Sequence, residues 1–144
     1  MAPKTPRRIL IIDDNHSLVR VMESILIKEG FHVSTAFDGV EGVEKAVNEK
    51  PDLIILDIEM PGPSGYQVCR QLQQFPPTEK IPVLMLTVRG QLDNVRDLDQ
   101  HTYQDRLEER NRGFEVGAIE FISKPIPAKE LVAAVRRLLW IDRK

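Results

Sequence analysis

Residues 53–57 read Leu-Ile-Ile-Leu-Asp, a run of four apolar residues that ends in a carboxylate. A continuous aliphatic run of this length is typical of a strand buried on both faces, as in a parallel sheet covered by helices. Four further candidate strands lie at 8–12, 32–36, 82–86 and 119–123. The sequence therefore predicts a five-stranded sheet in which Asp57 closes a central strand.

Segments with apolar residues at helical spacing separate these strands. The first carries Leu18, Met22 and Ile25 on one face, the second follows a candidate cap at Asp38, and the last opens after Pro127. Strands that alternate with helices indicate a parallel sheet with helices on both faces. We expect an α/β fold of the flavodoxin-like (βα)5 type, a three-layer sandwich with strand order 2-1-3-4-5.

The composition fits one domain of ordinary size. The chain has 144 residues, a formal net charge of −2 and one cysteine, Cys69. We expect residues 1–7 to form a disordered tail and residues 8–144 to form the domain. The charge gives no basic field for direct nucleic-acid binding, and no apolar stretch is long enough to span a membrane. A single cysteine excludes an intramolecular disulfide, so a cytoplasmic location is expected.

Polar side chains close four of the five predicted strands. They are Asp13 with Asp14, Asp57, Thr87 and Lys124. In open α/β sheets, ligands bind outside the carboxyl ends of the strands, so these side chains are expected to converge. Three converging carboxylates repel one another unless a cation joins them, and oxygen ligands suit Mg²⁺.

This set of groups predicts phosphoryl chemistry. Mg²⁺ would screen the approach of two anions, and Asp57 would attack phosphorus to form an acyl phosphate. The Lys124 ammonium and the Thr87 hydroxyl would then bind the new phosphoryl oxygens.

The same residues, together with the stretch 56–65 (Leu-Asp-Ile-Glu-Met-Pro-Gly-Pro-Ser-Gly), resemble the receiver domain of two-component response regulators. The resemblance runs from about Arg8 to Trp140. It implies an aspartyl phosphate on Asp57 and Mg²⁺ held by Asp14, Asp57, the backbone carbonyl of Glu59 and, mainly through water, Asp13. It also implies that the aromatic Phe121 swings inward when Thr87 closes on the phosphate.

The resemblance further implies partners and an output. The phosphodonor would be a histidine kinase, a histidine phosphotransfer protein or a small phosphodonor. A downstream protein would bind the face made by predicted helix 4, strand 5 and helix 5, and a homodimer is a further option. No output domain follows in this sequence, so we expect the signal to leave through a partner or phosphorelay, unless the receiver is excised from a longer protein. No independent substrate turnover is expected.

Three features depart from the family pattern. Val88 stands where a small residue is usual, which would narrow access to the phosphate. Glu59 and Arg89 are placed to form an ion pair that shields an acyl phosphate from water. Thr87 and Lys124 are 37 positions apart, a longer interval than receivers usually have, and the extra residues form a charged insertion at about 89–113. We expect a long or doubled fourth helix there, or a mobile charged loop.

Other functions remain open from the sequence alone. A pseudo-receiver would bind partners without phosphorylation, although the acidic pair, Asp57, Thr87 and Lys124 argue against it. A Mg²⁺-dependent phosphatase-like enzyme would share the chemistry, but Glu59 replaces the second aspartate that such enzymes carry. A flavin-binding protein of this fold is weaker, because no Ser/Thr/Gly-rich phosphate loop follows the first strand.

Overall fold

The computed structural model describes residues 6–87 and 118–142. The strands are β1 (Arg8–Ile12), β2 (His32–Ala36), β3 (Leu53–Asp57), β4 (Val83–Thr87) and β5 (Ala118–Ser123). The helices are α1 (His16–Lys28), α2 (Gly39–Glu49), α3 (Gly65–Gln73) and α4 (Ala128–Asp142). The label α4 thus belongs to the C-terminal helix. The predicted fourth helix, the insertion at 89–113, Val88 and Arg89 all lie outside the described residues.

The sheet is parallel, with the order β2-β1-β3-β4-β5. This confirms the predicted flavodoxin-like topology. Ile12 is paired with Leu56 and Asp57 with Leu86, so the carboxyl ends of β1, β3 and β4 lie side by side. Thr87 is paired with Ser123 at the same edge. The register therefore places every polar strand end that the sequence identified along one edge of the sheet.

Each face of the sheet has its own apolar cluster. Because side chains alternate along a strand, Ile9 and Ile11 face one cluster while Leu10 and Ile12 face the other. The first cluster is completed by α1 and α4, and the second by α2 and α3. The helical members are Val19, Met22, Leu26, Leu131 and Val135 in the first, and Ala46, Val68, Cys69 and Leu72 in the second. Burial on both faces explains why the strand sequences are continuously apolar.

Side-chain caps fix where three helices begin. The carboxamide oxygen of Asn15 accepts a hydrogen bond from the Leu18 amide at 3.0 Å, so α1 begins earlier than the apolar periodicity alone suggested. Asp38 caps α2, as predicted, and Ser64 forms a capping box with Gln67 at α3. Among the described helices, none combines the length and apolar character needed to cross a membrane.

The first residue of α3 is pressed against the end of β3. The Gly65 amide donates to the Ile58 carbonyl at 2.8 Å. A Cβ atom added at Gly65 would lie 2.7 Å from the Ile58 Cα and would also overlap the Asp57 carbonyl. Both obstacles are backbone atoms, which cannot move aside as a flexible side chain can. Only glycine, which has no Cβ atom, allows α3 to begin this close to Asp57.

Replacing Gly65 by alanine tests this close approach. We expect Gly65→Ala to lower the free energy of unfolding by about 1–3 kcal/mol, the usual cost of overpacking. It should also shift the amide NMR signals of Asp57 and Ile58. Gly30→Ala is the control, because Gly30 has φ +95° but no atom within 4 Å of an added Cβ. It should cost stability through backbone strain and leave those two signals in place. Unchanged signals in Gly65→Ala would contradict this packing.

Candidate functional site

The carboxyl edge of the sheet carries a compact polar site. Asp13 directly follows β1, Asp57 and Thr87 end β3 and β4, and Lys124 directly follows β5. Their exposed fractions are 0% for Asp13, 3% for Asp57 and 4% for Thr87, whereas Asp14 is exposed. Burying ionisable groups is costly unless they are paired, so each needs a compensating contact.

Lys124 supplies that contact for two carboxylates at once. Its Nζ atom lies 3.0 Å from Asp57 Oδ1, with hydrogen-bond geometry, and 3.1 Å from Asp13 Oδ2. Its backbone amide donates to the Thr87 carbonyl at 2.7 Å, and its peptide bond to Pro125 is cis. Lys124 is thus held by the backbone of β4 while its ammonium bridges the ends of β1 and β3.

The charges at the site do not balance. Burial and the neighbouring carboxylate of Asp13 raise the pKa of Asp57 from its ordinary value of 3.8 to about 6, although Lys124 opposes the rise. Burial alone would lower the pKa of Lys124, but Asp13 and Asp57 raise it above its ordinary value. One ammonium therefore does not fully compensate the carboxylates around it.

The acidic side chains fit a divalent cation. Asp13, Asp14 and Asp57 each offer a carboxylate oxygen, and these oxygens lie within 4.8 Å of one another. Oδ2 of Asp13 is buried and has no partner with good hydrogen-bond geometry among the described residues, although the Lys124 ammonium is near. An all-oxygen donor set with Asp14 exposed suits Mg²⁺, which prefers hard ligands and keeps several waters. The residues present therefore fit the ion that the sequence predicted.

For the other residues that the sequence singled out, the structure leaves the predicted roles untested. Glu59 lies just beyond β3 and is exposed, and its predicted partner Arg89 is outside the described residues, so the ion pair stays a prediction. Phe121 is half-buried and packs against the apolar cluster that also contains Met85. Its predicted inward movement, like the roles of Val88 and the Glu59 carbonyl, stays a prediction.

Two contacts at this edge were not predicted from the sequence. The Thr87 hydroxyl oxygen lies 3.3 Å from the Ser123 hydroxyl and 3.4 Å from the Ile122 carbonyl oxygen. The rings of His16, the first residue of α1, and Phe37, which follows β2, stack with centroids 3.9 Å apart and planes 5° from parallel. Only the register could have shown that Ser123 opposes Thr87. No sequence pattern indicated the ring pair.

Comparison with known proteins gives one consistent family. A family model described as the response regulator receiver domain matches residues 9–105. The chain is 40% identical over 131 residues to the response regulator PleD of Caulobacter vibrioides. The aligned region covers 91% of this chain and 26% of PleD. It is 39% identical to RpaA of Synechocystis, a DNA-binding dual master transcriptional regulator, over 92% of this chain and 48% of RpaA. The chain thus spans only a quarter to a half of these relatives.

Solved structures agree with this similarity. The chemotaxis protein CheY4 of Vibrio cholerae matches with a TM-score of 0.78 and 26% identity, over 93% of this chain and 99% of that one. The signal receiver domain of a signal transduction histidine kinase from Syntrophus aciditrophicus matches with a TM-score of 0.75 and 32% identity, over 93% and 90% of the two chains.

The raised pKa of Asp57 predicts a pH-dependent stability. Protonated Asp57 stabilises the metal-free fold, and this contribution is lost as the pH rises from about 3.8 through about 6. Over that window, the free energy of unfolding of the wild type should fall relative to that of Asp57→Asn. Chemical denaturation in EDTA across this range measures the difference, and titrations shared by both proteins largely cancel. Saturating Mg²⁺ should reduce the fall, because the ion favours ionised carboxylates. Parallel pH profiles in EDTA would contradict the raised pKa.

Proposed function

The chain belongs to the response regulator receiver family, and we propose that Asp57 is its phosphoacceptor, in a Mg²⁺-dependent reaction that switches the domain. Receiver domains of this family are signalling switches and not metabolic enzymes. The observation that carries the proposal is the bridge from Lys124 Nζ to the buried carboxylates of Asp13 and Asp57, 3.1 and 3.0 Å away. It joins a nucleophile, a cation ligand and a phosphate-binding cation at one sheet edge.

Among the three carboxylates, Asp57 is the best placed nucleophile. It ends the central strand β3, and its Oδ1 already accepts a hydrogen bond from the group that would bind the product phosphate. A carboxylate oxygen of Asp57 attacks phosphorus while the bond from phosphorus to the donor breaks. The leaving group takes the electron pair, and the product is an acyl phosphate.

Asp13 and Asp14 are assigned to the cation. Asp14 is exposed and would meet an entering ion first, while the buried Asp13 would act mainly through water. The backbone carbonyl of Glu59 completes the proposed set, with Asp57 itself as a further ligand. When bound, Mg²⁺ lowers the repulsion between the carboxylate nucleophile and the phosphoryl oxygens. This division of roles leaves Lys124 to bind the phosphoryl group.

Phosphorylation changes the charge that Lys124 and Thr87 face. A phosphoryl group adds roughly 1.5–2 negative charges at neutral pH and three strong acceptor oxygens. Lys124 would pair with one oxygen, and the Thr87 hydroxyl would donate to another. Because Thr87 and Phe121 lie on neighbouring strands, a movement of Thr87 would let Phe121 turn inward. This is how charge at Asp57 would reach the surface of the domain.

The partners follow from this chemistry. A histidine kinase or histidine phosphotransfer protein would supply the phosphoryl group, and a downstream protein or a second copy of the chain would bind the face that includes β5 and α4. On that face, Arg137 of α4 donates to both carboxylate oxygens of Glu120 in β5, at 3.0 and 2.6 Å. The pair links α4 to the strand that carries Phe121. That the signal leaves through such a partner is likewise proposed.

Phosphorylation in vitro tests the proposal. Incubation with Mg²⁺ and acetyl phosphate or phosphoramidate should add the mass of one phosphoryl group to the intact wild-type protein. The adduct should be absent in EDTA, and absent in Asp57→Asn, which keeps the side-chain volume but is not a carboxylate nucleophile.

The matched control is Asp52→Asn. Asp52 precedes β3 and accepts from the Arg8 amide at 2.8 Å, at the opposite edge of the sheet. This variant should be phosphorylated like the wild type. An adduct that persists in Asp57→Asn would move the acceptor elsewhere. A folded wild type that forms none would favour a receiver that binds partners without phosphorylation.

A further inference from the structure

The side chain of Thr87 is tied to the neighbouring strand β5. Its hydroxyl oxygen lies 3.3 Å from the Ser123 hydroxyl and 3.4 Å from the carbonyl oxygen of Ile122. Thr87 and Ser123 are register partners, and the Lys124 amide donates to the Thr87 carbonyl at 2.7 Å. Both the backbone and the side chain of Thr87 therefore contact β5 in this structure.

The hydrogen-bonding capacity of these groups limits where the proton of the Thr87 hydroxyl can point. A hydroxyl has one proton and two acceptor lone pairs, while a carbonyl oxygen only accepts. Thr87 therefore donates its one proton toward β5, either to the Ile122 carbonyl oxygen or to the Ser123 hydroxyl oxygen. The Thr87 proton is directed at β5 in this arrangement. It is not directed at a phosphoryl oxygen on Asp57.

We propose that Ser123 is a positioning residue that holds the Thr87 hydroxyl on the β5 side until a phosphoryl group on Asp57 competes for it. The inference rests on the proposed function, since it adds a residue that sets the threshold of the same switch. To donate its proton to the phosphoryl group, Thr87 must donate it to neither Ser123 nor Ile122, and in this proposal the side chain leaves β5 by rotating about χ1. A charge-assisted hydrogen bond to a phosphoryl oxygen is stronger than a neutral one, so the exchange is favoured only after phosphorylation.

The effect of the Ser123 hydroxyl on the rotamer equilibrium of Thr87 can be estimated. One ordinary neutral hydrogen bond sustains about a fivefold ratio between two states. The 3.3 Å contact is longer than an ordinary hydroxyl hydrogen bond, so loss of the Ser123 hydroxyl should shift the rotamer equilibrium of unphosphorylated Thr87 away from β5 by up to about fivefold.

The position of Ser123 makes it suitable for mutation. Its side chain is exposed and belongs to neither apolar cluster, so Ser123→Ala leaves no buried cavity. Ser123→Thr keeps a hydroxyl and is the conservative rescue. Ser34→Ala is the matched control, because Ser34 on β2 donates to Glu49 at 2.6 Å and touches none of the site residues described above.

The test is the χ1 rotamer of Thr87, measured from three-bond NMR couplings to its methyl group in the full, unphosphorylated chain. The wild type, Ser123→Thr and Ser34→Ala should show one dominant rotamer. Ser123→Ala should show averaging with a second rotamer. In wild type held phosphorylated by excess phosphoramidate and Mg²⁺, that second rotamer should dominate.

The outcomes separate this inference from the proposed function. Acyl phosphate on the wild type together with an unchanged Thr87 rotamer in Ser123→Ala overturns the inference alone. A rotamer shift in Ser34→Ala equal to that in Ser123→Ala also overturns it, because the effect would not be specific to the Thr87 contact. A wild type that forms no acyl phosphate overturns the proposed function and, with it, the role of Ser123.

Discussion

Two buried carboxylates lie at one edge of the sheet, and the ammonium of Lys124 is the contact that allows them to do so. Asp13 and Asp57 repel each other, and burial makes that repulsion stronger than it would be in water. Lys124 lies 3.1 Å from one and 3.0 Å from the other. The parallel register is what brings them together, because it aligns the carboxyl ends of β1 and β3. The apolar strands thus position a site whose charges they could not stabilise alone.

The negative charge of the carboxylates is only partly neutralised by Lys124, and the proposed chemistry starts from that excess charge. A carboxylate whose pKa is raised to about 6 is held in an environment that favours a proton or a cation. A divalent ion at Asp13, Asp14 and Asp57 would offset the excess negative charge, whereas phosphorylation of Asp57 would add to it, so the proposed reaction needs the ion. Thr87, held against β5 by Ser123 and Ile122, would convert the new charge into a rearrangement. The raised pKa of Asp57 means that its ionised form destabilises the metal-free fold at the edge where the proposed switch lies.

The sequence predicted the fold well because its signals are local and strong. Continuous apolar runs such as 53–57 marked strands buried on both faces, and each polar strand end, Lys124 included, was visible as a break in such a run. What the sequence could not show depends on geometry between strands. The Thr87–Ser123 contact requires the β4–β5 register, which shifts between Val83 and Leu84. The His16–Phe37 stack joins the first residue of α1 to the residue after β2, two positions that are distant in the sequence. The role of Arg89 stays a prediction because Arg89 lies outside the described residues.

The most direct measurement identifies the phosphorylated atom. The protein is phosphorylated with phosphoramidate and Mg²⁺, the acyl phosphate is reduced with borohydride, and the peptides are sequenced by mass spectrometry. Reduction converts an aspartyl phosphate into homoserine, so it records the acceptor in unmutated protein. We predict homoserine at position 57 only. Homoserine at 13 or 14 in its place would contradict the account, because those carboxylates are assigned to the cation.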